Sequence, residues 1–217
     1  LLRFRDIAVA QDGALLAAGL PAPGADALYG ARLTVHKACH DRVRAGPGEV
    51  RHGEVVGGVR TALALPATAD AILAAAEIAY EAGAVRADGR LTSLLRIQAA
   101  GKPVVFVSDM YLSGADVRRI LVAVVPALAD LPLFVSADVG LTKRHGHLFA
   151  HVAAALDLPP DAVLHVGDNP HADVLRAREA GFRTLWRPRP WWWRRTLAVR
   201  DRLVRRRLRR AGTIRDG

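Results

Sequence analysis

Residues 103–125 read PVVFVSDMYLSGADVRRILVAVV, and the order of residue types there sets the class of fold. A short, continuous apolar run ends on Ser108 and Asp109, turns, and passes into a helical pattern over 114–125. Continuous apolar runs of this length suit strands covered on both faces. Three further runs follow: PLFVSAD (132–138), AVLHVGD (162–168) and RTLWRP (183–188). Helical patterns over 142–156 and 171–180 lie between them. Strands alternating with helices imply right-handed β-α-β units and a parallel α/β sheet covered on both faces. Ligands of such sheets bind at the carboxyl ends of strands, where this sequence puts Ser108 with Asp109, Asp138 and Asp168.

The half before this stretch is Ala-rich and helical in pattern. Leu28, Ala31, Val35, Ala38, Cys39, Arg42 and Val43 fall on one stripe, which Gly46-Pro47-Gly48 stops. A second helix is expected over 54–65. A third opens on Thr68 or Asp70 and closes at Gly83, and a fourth runs over 90–100 to Gly101. Boundaries follow: 1–13 as the remnant of a core start, 14–88 as a helical cap, 89–188 as the α/β core and 189–217 as a basic tail.

Composition narrows the class further. Of 217 residues, 51% are apolar and 24% charged, enough to bury a core. Each apolar run is interrupted short of the ~18 residues a membrane-spanning helix needs. A lone cysteine, Cys39, excludes an internal disulfide framework and, with no apolar leader in view, fits a reducing cytoplasm. The formal charge of +10 is not a property of the body. Residues 183–217 hold 13 Arg against Asp201 and Asp216, net +11, whereas residues 1–182 sum to −1.

Three features carry chemistry when taken together. Ser108, followed by the Asp109 backbone N–H, can cradle a phosphoryl oxygen after a strand, although serine there is also ordinary cap chemistry. Lys143, one of only three lysines, follows the second strand at the expected start of a helix. An ammonium there would neutralise charge that develops on a transferring phosphoryl group. Asp168 and Asp173, in HVGDNPHAD, offer hard oxygens at a strand end, which suit Mg²⁺; acids opening a helix also complement its dipole.

With these strings quoted, residues 104–186 resemble the haloacid dehalogenase (HAD) superfamily. The resemblance rests on SDMYL at 108–112, K-x-x-G-x-L-F at 143–149 and H-x-G-D-N at 165–169. Weaker similarity reaches upstream: the helix bearing Arg32 resembles the one that begins the family's all-helical cap, and Glu77 and Glu81 fall where that cap carries acids. The resemblance implies a Rossmann-like phosphatase core with the cap inserted before the second motif strand. In that family an Asp attacks phosphorus to give an aspartyl-phosphate. Carried over, Ser108 and the Asp109 backbone bind phosphate, Lys143 orients the nucleophile, Asp168 ligates Mg²⁺ with Asp173 behind it, and Asn169 lines the same loop. The implied substrate is a small phosphorylated metabolite.

The family's first motif, which supplies the nucleophile, is missing. One reading puts it upstream of Leu1, the chain being a fragment that would be catalytically crippled and poorly stable as it stands. The other takes DIAVAQDGALL (6–16) as a decayed strand and motif, with Ala10 and Asp12 at the nucleophile and acid–base positions. A non-catalytic HAD-like module beside a glycosyltransferase or polysaccharide system is the alternative function. His36, Cys39 and His40, and His147 with His151, have helical spacings that can bind zinc but lack further ligands nearby. The tail, with Trp191–Trp193 and then Leu197, Val199, Leu203, Val204 and Leu208 amid Arg, suggests a membrane-surface helix on the cytoplasmic side. Nucleic acid, a helix docked on its own domain and a linker are its rivals.

Overall fold

The computed structural model describes residues 2–45, 48–87 and 89–189, and beyond these single positions and pairs between Arg195 and Gly212. It divides into two compact units. One holds α1 (Leu2–Ala17), α2 (Ala25–Ala45), α3 (His52–Ala62) and α4 (Ala69–Ala84). The other holds the strands, preceded by α5 (Gly89–Ala99).

The helical unit begins earlier than the sequence suggested. The stretch 1–13 does not begin the α/β core, because α1 runs through residues 2–13 as one helix of this unit. The decayed-strand reading of residues 6–16 falls with it. Ala10 lies mid-helix, and the Asp12 carboxylate accepts a hydrogen bond from the Gly24 backbone N–H at 2.8 Å. Ile7, Ala8, Gln11 and Leu15 share the buried face of α1. Gln11 is tolerated there because its amide donates to the Leu73 carbonyl at 2.9 Å. The helix ends on Gly19 at φ +68°, where the Leu20 N–H reaches the Leu15 carbonyl at 3.0 Å, a Schellman-type close. Leu15, Leu28, Tyr29 and Leu73 are fully buried, each Leu contributing about 1.5–3 kcal/mol by leaving water.

An ion cluster lies inside this unit. Arg32 donates to both oxygens of Glu77 at 2.6 Å, and both side chains are essentially inaccessible. His52 Nε2 lies 2.9 Å from the same carboxylate, and the Phe4 ring stacks 4.5 Å from the Arg32 guanidinium. Burial would push the Glu77 carboxyl up, but His52 and Arg32 outweigh it and hold it at about 2. Glu81, one turn further along α4, is buried as well.

The second unit carries β1 (Phe106–Ser108), α6 (Gly114–Val124), β2 (Leu133–Val135), the short α7 (Ser136–Val139), α8 (His147–Leu156), β3 (Leu164–Gly167), the short α9 (Arg176–Glu179) and β4 (Arg183–Trp186). All strand pairs are parallel, as alternation predicts: β1 with β2, and β3 with β4. One continuous sheet covered on both faces is not what forms among the described residues. The ladder divides into two pairs. On β3 and β4, Leu164, Val166 and Leu185 lie exposed on the face opposite His165. On the His165 side, Phe149 of α8 meets the imidazole edge-on at 5.0 Å and packs with Ala177 and Phe182.

Candidate functional site

Lys143 is the hub. Its expected place at a helix start is corrected: α8 begins only at His147, because Gly140 and Gly146 hold φ of +70° and +78° and keep the intervening chain in a loop. Thr142, buried, braces that loop through its hydroxyl, 3.0 Å from His145 Nδ1. From the loop the Lys143 backbone N–H donates to Asp109 Oδ1 at 2.7 Å, and Nζ donates to Asp173 Oδ1 at 2.6 Å. One residue therefore ties the end of β1 to the segment after β3.

Asp173 sits in a π-helical turn, Pro170–Leu175, that opens directly after the β3 loop. Such turns often mark functional positions. The Asn169 side-chain oxygen caps it, accepting from the backbone N–H groups of His171 and Ala172 at 3.0 and 3.1 Å. Asn169 thus holds the loop through its side chain. Both Asp173 oxygens are engaged: Oδ1 by Lys143 and by His165 Nε2 at 3.1 Å, Oδ2 by the Asn169 N–H at 3.0 Å. Burial would raise this carboxyl's pKa; the bonds from His165 and Lys143 overcome that and hold it far below the usual carboxylate range. Gly167 makes room for it, since a Cβ there would meet the Asp173 carboxyl carbon at 2.3 Å.

The remaining predicted residues divide. Ser108 closes β1, beside Asp109, whose carboxyl is pushed up by burial and by the charge of Glu49, against the pull of Lys143. Asp168 follows β3 half-exposed. Its carboxylate pairs with Arg189, and its carbonyl accepts from the Trp186 indole N–H at 3.2 Å. Asp138 is not at this site: it lies in α7 and accepts from the Gly114 N–H at 3.0 and 3.1 Å, holding the start of α6. Neither zinc spacing gathers a set of three or more His, Cys, Asp or Glu among the described residues. His165 and Arg189 were missed by sequence reasoning. Strand alternation around Leu164 and Val166 carries a signal for the first; the second is a contact across 21 positions with none.

The donor set fits a hard cation at one place. Mg²⁺ takes one or two carboxylates and retains waters. Asp168 supplies a half-exposed carboxylate for that, whereas Asp173 has no oxygen to spare and faces Lys143.

A parallel α/β unit with charged groups at its strand ends, in a chain that also carries a helical unit, agrees with the α/β core and helical cap of HAD-type hydrolases. The comparisons agree. A HAD-hydrolase-like family model matches residues 141–187. Over 54 residues the chain is 39% identical to a phosphoserine phosphatase of Thermus thermophilus; the match covers 25% of this chain and 22% of that enzyme. The fold is shared with a haloacid dehalogenase-like family hydrolase from Xanthomonas campestris (TM-score 0.53, 15% identity, 86% of this chain and 74% of that one). It is also shared with an L-2-haloacid dehalogenase (TM-score 0.53, 19% identity, 86% and 83%). Residues 141–187 thus carry the likeness to HAD-type hydrolases, and the fold over most of the chain is shared with theirs.

Proposed function

We propose that this chain carries the phosphate-binding and metal-supporting part of a cytoplasmic phosphomonoesterase acting on a small phosphorylated metabolite. The observation that carries the reading is Lys143 held between Asp109 and Asp173. Phosphoryl transfer is mostly alignment and charge stabilisation, and a lysine fixed at its backbone by Asp109 and at its ammonium by Asp173 supplies both without reorganising.

Each residue has a defined task in this reading. The Ser108 hydroxyl and the backbone N–H groups after it receive the phosphoryl oxygens. Lys143 sets the attacking carboxylate and offsets its charge. Asp173 anchors Lys143 from behind, with His165 and the Asn169 N–H locking Asp173 in turn. Asp168 is the residue to hold Mg²⁺, which when bound polarises the phosphoryl oxygen. Arg189 must release the Asp168 carboxylate for that. Residues 6–16 do not supply the attacking carboxylate, since they lie in α1. The likeness to a phosphoserine phosphatase makes phosphoserine the first substrate to try.

The test is release of phosphate from a panel of small monoesters by the protein as it is naturally encoded, with and without Mg²⁺. Turnover that needs Mg²⁺ and falls at least a hundredfold in Lys143→Met is expected. Binding of inorganic phosphate without turnover of any ester would instead establish a non-catalytic accessory module.

A further inference from the structure

The chain leaving β4 returns to the carboxylate that the site offers to a cation. The Arg187 backbone N–H donates to the Gly167 carbonyl at 2.8 Å, carrying the β3–β4 pairing one residue past Trp186. The Trp186 indole N–H donates to the Asp168 carbonyl at 3.2 Å, and the Arg189 guanidinium pairs with the Asp168 carboxylate. Two backbone carbonyls and one carboxylate thus hold residues 186–189 along Gly167 and Asp168. The sequence favours this course. In Arg187-Pro188-Arg189-Pro190 each arginine precedes a proline, which disfavours helical backbone at the arginine. Trp191–Trp193, Leu197, Val204 and Leu208, on which the expected membrane-surface helix depends, lie outside the described residues.

The Arg189 and Asp168 side chains remain 50% and 37% exposed, against 12% and 6% for Lys143 and Asp173. An ion pair this wet shifts an equilibrium by no more than about fivefold, so it yields to a stronger competitor. We propose that Arg189 is an internal counter-ion that closes Asp168 to divalent cations, an autoinhibitory strap displaced when such a cation binds. The inference rests on the reading of Asp168 as the Mg²⁺ carboxylate. A guanidinium on those oxygens and a dication beside it repel each other at contact distance, so one excludes the other. The other two contacts of the strap end on backbone carbonyls, which keep their donors when the carboxylate changes partner. Only the Arg189 side chain has to swing away, and the backbone behind it stays placed to close again. The site therefore opens above a threshold of free cation.

Binding of Mn²⁺ alone, followed by the paramagnetic resonance of the free ion, tests this on the protein as it is naturally encoded and without turnover. In about 0.05 M KCl, R189Q should bind Mn²⁺ about three- to tenfold tighter than wild type, having lost both the competitor and its repulsion. R187Q removes an equal charge two residues away and should stay within about twofold of wild type. In about 0.5 M KCl the gap between R189Q and wild type should fall below about twofold, because salt screens an exposed pair. D168N should weaken binding about tenfold or more. The strap is refuted if R189Q binds Mn²⁺ no tighter than wild type, or if R187Q tightens binding as much as R189Q does. Where D168N still loses the ion, those results leave Asp168 as the cation ligand. D168N binding as tightly as wild type removes both readings, as does failure of wild type and R189Q alike to bind Mn²⁺ at millimolar concentration.

Discussion

Replacing Asp173 with alanine separates a lysine held by design from one that merely lies nearby. In the native arrangement the Lys143 ammonium is 12% exposed and the Asp173 carboxylate 6%, with 2.6 Å between them. Removing the carboxylate leaves a nearly buried ammonium without its counter-charge, and breaking one side of such a pair costs about 3–5 kcal/mol. His165 and the Asn169 N–H lose their acceptor at the same time. At about 2–4 °C per kcal/mol for a chain of this size, D173A should lower Tm by roughly 10 °C. K143M/D173L removes both charges and should recover most of the loss, because an apolar pair carries no desolvation penalty. The pH dependence has a definite sign. The folded pKa of Asp173 is depressed, so its contribution is complete above the unfolded value of 3.8 and is lost as pH falls through the folded one. The gap between wild type and D173A should therefore stay constant from neutrality to about pH 4 and close only below it. Thermal melts followed by circular dichroism give these numbers. If the losses in K143M and D173L simply add in the double variant, the two side chains are not coupled and the hub assignment fails.

Two further outcomes follow from the same physics. In the helical unit, E77L takes the bidentate carboxylate away from the buried Arg32 and should cost about 3–5 kcal/mol, while R32M/E77L should recover most of that loss; urea midpoints for the three proteins measure the coupling. With Glu77 depressed to about 2, its share of stability is intact above the unfolded 4.5 and lost as pH falls toward 2. Gly167→Ala drives a methyl to within 2.3 Å of the Asp173 carboxyl carbon and should cost about 1–3 kcal/mol; calorimetry showing an unchanged Tm would mean that the π-helical turn yields freely.

What the sequence disclosed and what it hid have physical reasons. The four strands were legible because each is a short apolar run closed by polar residues, and the parallel pairing followed from the intervening helices. Helix α1 was not legible. Its buried stripe passes through Gln11, and a polar residue satisfied by a distant carbonyl breaks the apolar period that a reader counts. The Lys143 loop was mistaken for helix because the apolar pattern of α8 extends visually into it, although Gly146, directly before His147, is the residue that separates them. Lys143, Asp109 and Asp173 could be named from residue types and order, but their partners could not. A backbone N–H on Asp109, an imidazole behind Asp173 and Arg189 on Asp168 are set by tertiary contact, to which local pattern is blind.

The division of the strands into two pairs bears on how the site is held. In a continuous sheet, hydrogen bonds between neighbouring strands would fix the ends of β1 and β3 relative to each other, and side chains at those ends would inherit that rigidity. Here no such ladder joins β1–β2 to β3–β4 among the described residues. The connection shown at the site is instead Lys143, through its backbone to Asp109 and through its ammonium to Asp173. A single flexible side chain loses up to about 2 kcal/mol of rotamer entropy when it is fixed, so it holds two strand ends together only where the charge pair repays that cost. The low exposure of the pair and the locking of Asp173 by His165 and Asn169 meet that condition. Lys143→Met should accordingly do more than remove a charge. Amide exchange should quicken in the residues that follow both β1 and β3, whereas a lysine acting only on substrate would leave exchange there unchanged.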